Sequence, residues 1–261
     1  MLELNFDVQL LNDWGLEFPD FLEEKKEIIE DDFEIEETVI TTDIKLGDKF
    51  KIGNHFLICG DSCNKSTYNE ILGNIKADLI FTDPPYDLED NYSNLILDSL
   101  NNDSHCFIMN SDKLLIDNVN NNKDLFRKFF AVDFRQARLV SNNQPMTRVD
   151  LVAEFCKGKT KFNNTKDGFS TLIECSKIHN KNESINFGHK QAKKIELPAK
   201  FIEHYSNKNK IVFDAFLGSG STMAACQQLD RICYGIELDP KNCQIIINRM
   251  EKVYGLIAEK I

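Results

Sequence analysis

The last third of the chain leaves the least freedom of fold. KIVFDAF (210–216) is a short apolar run, and GSGSTMAACQQL (218–229) turns through two glycines into a helical pattern. RICYGIEL (231–238) is a second apolar run, and PKNCQIIINRMEKVY (240–254) a second helix. Strand, helix, strand and helix at this spacing call for a parallel sheet with crossover helices, an α/β fold. Upstream, DKFKIGNHFLICGDS (48–62) reads as a hairpin about Gly53-Asn54, and ADLIFTDPPY (77–86) as a buried strand halted by Pro-Pro. SHCFIMNS (104–111), FRKFFAVDF (126–134) and VDLVAEF (149–155) have strand composition. ELPAKFIEHYS (196–206) is a helix with Pro198 in its first turn and Leu197, Phe201, Ile202 and Tyr205 on one face.

At 261 residues the chain is near the upper end of what one core supports. Nowhere do 18 apolar residues run together, and MLELNFDVQLLNDWGLEF (1–18) has no basic region or cleavage site, so neither a membrane span nor a secretory leader is expected. Eight cysteines are present without any C-x-x-C, and five of them (Cys59, Cys106, Cys156, Cys226, Cys233) lie in apolar runs. They read as reduced core thiols of a cytosolic protein, with no zinc site expected.

The net charge of −11 argues against a polyanionic partner only until it is mapped. Residues 1–41 carry −12, 42–104 carry −6, 105–210 carry +8 and 211–261 carry −1. Residues 1–42 are therefore expected to be an acidic tail or linker, with 1–37 removable without loss of ligand binding, and the middle of the chain is basic.

In DAFLGSGST (214–222), Asp214 and Phe216 end a strand, and Gly218 and Gly220 let backbone N–H groups and a helix start at Ser221-Thr222 approach a ligand. Glu237 ends the next strand, 19 residues after Gly218, where an acid can hold both hydroxyls of a ribose. No lysine follows the glycines, as a P-loop requires, and Met223 stands where a dinucleotide fingerprint has its third glycine. A nucleoside without a pyrophosphate remains, and S-adenosylmethionine fits.

Asp83-Pro84-Pro85-Tyr86 follows a strand, at the end where open α/β sheets bind ligands. A stiffened surface turn would use the same residues, but amine methylation gives each a role. The exocyclic amine of adenine is a poor nucleophile because its lone pair is delocalised into the ring. Two acceptors on its N–H bonds, the Asp83 carboxylate and the Pro84 carbonyl, localise that pair, and proline fixes their aim. Tyr86 offers a face for a flipped base. Known cytosine C5 methyltransferases use a cysteine nucleophile directly after a proline, and none of the six prolines here has one.

Together these residues resemble the β class of amino-directed DNA methyltransferases, in which the catalytic tetrapeptide precedes the cofactor loop. The resemblance covers about residues 43–254 and implies a Rossmann-like, mostly parallel, doubly wound sheet with permuted motif order. ICGDS (58–62) is similar to the segment that binds the cofactor's adenine, here through Asp61 and Ser62; KKIELP (193–198) is similar to a K-P-x-E-L-P segment, which assigns Lys193 to the cofactor. DAFLGSGST and GIELDP (235–240) resemble the methionine-side and ribose-side motifs. Lys194 and Asn242 depart from the family's proline and aromatic residue. The acidic opening resembles linkers that follow a ParB-like domain in some phage and prophage enzymes.

The resemblance implies a catalytic domain over 43–261 with a target-recognition insert at about 135–191. Arg135, Arg138, Arg148, Lys157, Lys159 and Lys161 would meet phosphates, and Lys166 and His179, with Asn164 and Phe169, base edges. Methylation of adenine N6 in duplex DNA is the expected reaction, since N4-cytosine relatives more often carry serine at position 83. A homodimer and a cognate restriction endonuclease are further partners the resemblance implies. The rivals are N4-cytosine methylation, amine methylation of protein or RNA (which usually uses Asn-Pro-Pro-Tyr), and a silent DNA-binding relative.

Overall fold

The computed structural model describes residues 26–31, 33, 41–86, 88, 92–138, 147–160, 169–175 and 194–261. Its strands are β1 (Lys49–Ile52), β2 (His55–Cys59), β3 (Ala77–Thr82), β4 (Leu100–Asn110), β5 (Phe126–Arg138), β6 (Thr147–Lys157), β7 (Leu172–Glu174), β8 (Ile211–Asp214), β9 (Ile232–Glu237) and β10 (Ala258–Lys260). The helices are α1 (Lys65–Leu72), α2 (Ser93–Asp98), α3 (Asp112–Asn121), α4 (Glu196–Tyr205), α5 (Ser221–Gln228) and α6 (Pro240–Tyr254). All ten strands join one sheet in the order β10-β1-β2-β9-β8-β3-β4-β6-β5-β7.

The five central strands, β2 to β4 in that order, run parallel. Antiparallel pairs flank them on both sides, so the sheet is mixed, with a parallel centre. The Gly53-Asn54 hairpin forms as the sequence indicates, with Ile52 opposite His55. The stretch expected as a recognition insert contributes the end of β5, all of β6 and β7 to this same sheet.

Strand alternation explains the layers. On β3 and β4, Leu79, Phe81, Phe107 and Met109 pack with α4, α5 and α6, whereas Ile80, Cys106 and Ile108 pack with α1, α2 and α3. A strand buried on both faces must be apolar throughout, which is why these runs show no polar alternation. The four residues singled out on α4 are all buried, and Phe201 lies between Phe81 and Phe107. Asp239 caps α6 by accepting from Lys241 N–H, and Gly255 closes it at φ +65. All eight cysteines are free thiols, and only Cys63 is not fully buried. Among the described residues no helix is long and apolar enough to cross a membrane.

His55 fastens β2 to its neighbour. Its Nδ1 accepts from the Cys233 N–H at 3.0 Å, so Nε2 carries the proton and donates to Gln227 Oε1 at 2.9 Å. Burial holds the ring neutral by pushing its pKa below the usual histidine value. The unfolded chain therefore takes up a proton near pH 6.5 that the folded one refuses, and stability falls as pH drops through that range. Urea midpoints at pH 7.5 and 5.5 should differ more for the wild type than for His55→Gln; equal differences would show that another group titrates.

Candidate active site

Strands β2, β9, β8 and β3 are adjacent and parallel, so their carboxyl ends lie along one edge. Beyond those ends stand Gly60-Asp61-Ser62, Glu237, Asp214 and Asp83 in turn. Residues far apart in sequence thus form one row of acids at the position where open α/β sheets bind ligands.

Asp214 is the centre of that row and is buried. Its Oδ1 accepts from Thr82 Oγ1 at 2.8 Å and from Phe216 N–H at 3.0 Å, and its Oδ2 accepts from Thr222 Oγ1 at 2.6 Å. The carboxylate expected to face a ligand instead ties the end of β3 to the glycine loop and α5. Ser62 is also turned inward. Its hydroxyl donates to the Ala215 carbonyl, and its own carbonyl accepts from Tyr68. Asp61 is exposed and turns the backbone by accepting from Cys63 N–H at 2.8 Å.

Glu237 Oε2 accepts from Gly218 N–H at 2.8 Å, while Oε1 accepts from Asp239 N–H and Asn242 Nδ2. Gly218 (φ +56) and Gly220 (φ +84) both occupy the left-handed region, where a side chain would be strained. A Cβ on Gly220 would meet Ile246 at 3.1 Å, whereas one on Gly218 would meet nothing closer than the Phe216 carbonyl at 4.0 Å. Gly220 is thus required by packing, and Gly218 leaves open room beside Glu237. Ser221 and Thr222 are buried at the start of α5, and the Phe216 ring stands edge-on to Tyr92 at 5.3 Å.

In the tetrapeptide, Pro84 is buried, Asp83 half-buried, and Pro85 and Tyr86 exposed, with Tyr86 at 51%. Thr82, the residue before it, is held by Asp214. The loop is anchored at its base.

Two contributors were not visible in sequence. Arg249, on the apolar face of α6, is 5% exposed; its Nη1 donates to the Ser219 carbonyl in the glycine loop. Its Nε and Nη2 pair with both oxygens of Asp31 at 2.7 Å. Glu30 accepts from the N–H groups of Ile195 and Glu196 at the start of α4. Ile29 exchanges hydrogen bonds with Gln228, and Lys26 pairs with Asp230. Residues 26–31 are therefore docked on the domain rather than standing apart from it as a tail. The signal was an arginine among the inward positions of an amphipathic helix, which demands a buried anion.

Three of the cations expected at phosphates have partners within the protein. Arg148 grips Asp133 with two hydrogen bonds at 2.6 and 2.7 Å, and this arginine holds the Asp133 carboxyl below the usual carboxylate range. Arg135 sits at a bulge with φ +58 and pairs with Glu174. Lys157 donates to the carbonyls of Leu97 and Leu100. These three cations are committed within the protein, whereas the Lys159 side chain is exposed. Arg138 lies on β5, but its side chain, like Lys161, Lys166, His179 and Lys193, lies outside the described residues.

Residues 122–248 match the family model described as DNA methylase, which runs from before β5 into α6. No curated protein matches the chain significantly in sequence. Among solved structures, the M1.HpyAVI–SAM complex is 22% identical with TM-score 0.61, covering 74% of this chain and 98% of that one. The cytosine-N4-specific PvuII DNA methyltransferase is 17% identical with TM-score 0.56, over 79% of this chain and 96% of its own. TTHA0409 from Thermus thermophilus, complexed with S-adenosyl-L-methionine, is 16% identical with TM-score 0.54, over 76% and 93%. The chain shares their fold and resembles the DNA amino-methyltransferases, in agreement with its motif order.

Removing one partner of a buried ion pair typically costs about 3–5 kcal/mol, because the other charge is left unpaired. Both Asp31 and Arg249 side chains are 6% exposed. Asp31→Ala should lower unfolding stability by that order in a urea titration. A variant as stable as the wild type would show that the strap does not hold the arginine.

Proposed function

We propose that the chain is an S-adenosylmethionine-dependent DNA methyltransferase acting on adenine N6. The reading is carried by one juxtaposition: Asp214 bonds both Thr82, which leads into the Asp-Pro-Pro-Tyr loop, and the glycine loop. An amine-gripping loop and a nucleoside-binding loop are thereby held side by side.

The residues present fit the donor. Its sulfonium is cationic and it lacks a pyrophosphate, which suits a rim of carboxylates (Asp61, Asp83, Glu237) and the open room at Gly218. When bound, S-adenosylmethionine supplies an electrophilic methyl group. Glu237 would hold the ribose hydroxyls through Oε2, sharing that oxygen with Gly218 N–H. Asp61 and the start of α5 would line the remainder, with Phe216 at the rim.

Toward the target base, exposed Tyr86 provides the stacking face for a flipped nucleotide. The Asp83 carboxylate and Pro84 carbonyl accept the two amine N–H bonds and localise the nitrogen lone pair. As the nitrogen gains a methyl group it must lose a proton, and Asp83 is the acceptor in this reading. Aspartate at 83 is what favours adenine over N4 of cytosine. Lys159 would meet phosphate, and residues 162–191 would carry target recognition.

Asp83→Ala should reduce turnover by around two to three orders of magnitude while retaining cofactor binding by calorimetry. Mass spectrometry of nucleosides from methylated DNA should show N6-methyladenine; N4-methylcytosine would overturn the choice of base, and neither product the proposed function.

The cation assignments give a second test. Lys159→Ala should flatten the log–log salt dependence of DNA binding by about 0.9. Arg148→Ala should leave that slope unchanged, since its guanidinium is already held by Asp133. Equal slope changes for the two variants would mean that Arg148 leaves Asp133 for phosphate.

A further inference from the structure

We propose that His105, Glu154 and Cys156 form a binding site for a zinc-type divalent cation, separate from the methylation site. His105 lies directly opposite Cys156 across the antiparallel β4–β6 pair, and Glu154 is two residues from Cys156 on the same face. All three are buried. The donor atoms are already gathered: His105 Nδ1 is 2.8 Å from Glu154 Oε1, and Cys156 Sγ lies 3.2 Å from the first and 3.4 Å from the second. Zinc bonds of about 2.0–2.3 Å at tetrahedral angles separate their donors by about 3.3–3.6 Å. Spreading these atoms by about half an ångström at most would admit the ion.

Two further observations point to a cation. Glu154 is 3% exposed, and among the described residues its Oε2 is buried with no hydrogen-bond partner; Lys128 Nζ stands 3.9 Å away and is itself half exposed. A buried carboxylate oxygen left in this state is costly, and a metal ion removes the cost. The cluster also opens on a cavity of about 550 Å³, which would leave a fourth position to water or an anion. Arg127, Lys128 and Lys159 stand on the cavity wall, so the charge of the ion has to be met by its own ligands. A divalent ion with one carboxylate and one thiolate is neutral overall, and the cations around it would favour an anionic fourth ligand.

The site is distinct from the catalytic loop. His105 is level with Leu79, and Asp83 follows Thr82, which is level with Ile108. The separation along the strands is about 13 Å at 3.3 Å per residue. Binding replaces the Cys156 thiol proton, which leaves to solvent, so affinity should rise with pH. A hydrogen-bond network of the three groups, with Thr160 and Arg127 beside Cys156, is the rival account.

Cobalt(II) is the probe, because a thiolate ligand gives it a charge-transfer band in the near ultraviolet. Full-length protein stripped with a chelator should develop that band with one equivalent of cobalt(II), and zinc should bleach it. Cys156→Ser should abolish the band. His105→Asn and Glu154→Gln, which keep the thiol, should each weaken cobalt binding at least about tenfold with the far-ultraviolet dichroism unchanged. The proposal is overturned if the stripped wild type gives no band, if Cys156→Ser retains it, or if folded His105→Asn and Glu154→Gln both bind as tightly as wild type. Should Cys156→Ser fail to fold, the wild-type titration and the other two variants still decide.

Discussion

Asp214 sets the spacing on which the proposed chemistry depends. An isolated carboxylate as buried as this one would be costly, and three donors compensate it: the Thr82 hydroxyl, the Phe216 N–H and the Thr222 hydroxyl. Those donors belong to the base of the Asp-Pro-Pro-Tyr loop, the glycine turn and the helix that follows it. Moving either loop away leaves the charge short of a partner, so the two are coupled through this desolvated carboxylate as well as through the Phe216–Tyr92 contact. The same logic holds at Glu237, whose oxygens bond Gly218 on one side and the start of α6 on the other. The acids of the strand ends thus shape the loops as well as lining the site.

This arrangement requires the permuted topology to close. In sequence, β2 and β3 are separated only by α1, yet in the sheet β9 and β8 lie between them. Half of the acid row comes from before residue 84 and half from after residue 213. The site therefore cannot form until the C-terminal strands enter the sheet, and contacts such as Thr82 to Asp214 span 132 residues. Long-range pairing of this kind makes for slow folding.

What the sequence disclosed and what it hid divide on physical lines. The hairpin, the central strands, α4 and the β8–α5–β9–α6 succession were legible because apolar periodicity and turn chemistry are local. The motif segments stand out in the sequence because their spacing is fixed by loop geometry. Side-chain commitments were not. Arg148 and Asp133 are close only because β5 and β6 pair, and Arg135 meets Glu174 only because β7 adds beside β5. Asp214 and Ser62 belonged to matching motifs, but the motif alone does not say that their polar atoms turn inward. The His105, Glu154 and Cys156 cluster escaped for the same reason, since no ligand spacing in the chain announces a site assembled across two strands.

The acidic segment shows why net charge is a poor guide to a segment's role. Residues 1–41 carry −12, which suggests a solvated tail that repels phosphate. Where the segment is described, Glu30 and Asp31 are directed inward. Glu30 takes the place of a capping side chain for α4, whose Ile195 N-cap has none, and sits where the helix dipole favours an anion. Asp31 neutralises Arg249, which in turn holds the Ser219 carbonyl. Such a neutralised pair projects little field beyond itself, so these two carboxylates contribute less to repelling DNA than their count implies. Their removal would instead unpair a buried guanidinium next to the glycine loop. The strap thus acts on the cofactor side of the proposed site through packing, and its sequence composition conceals this because the partner arginine lies 218 residues away.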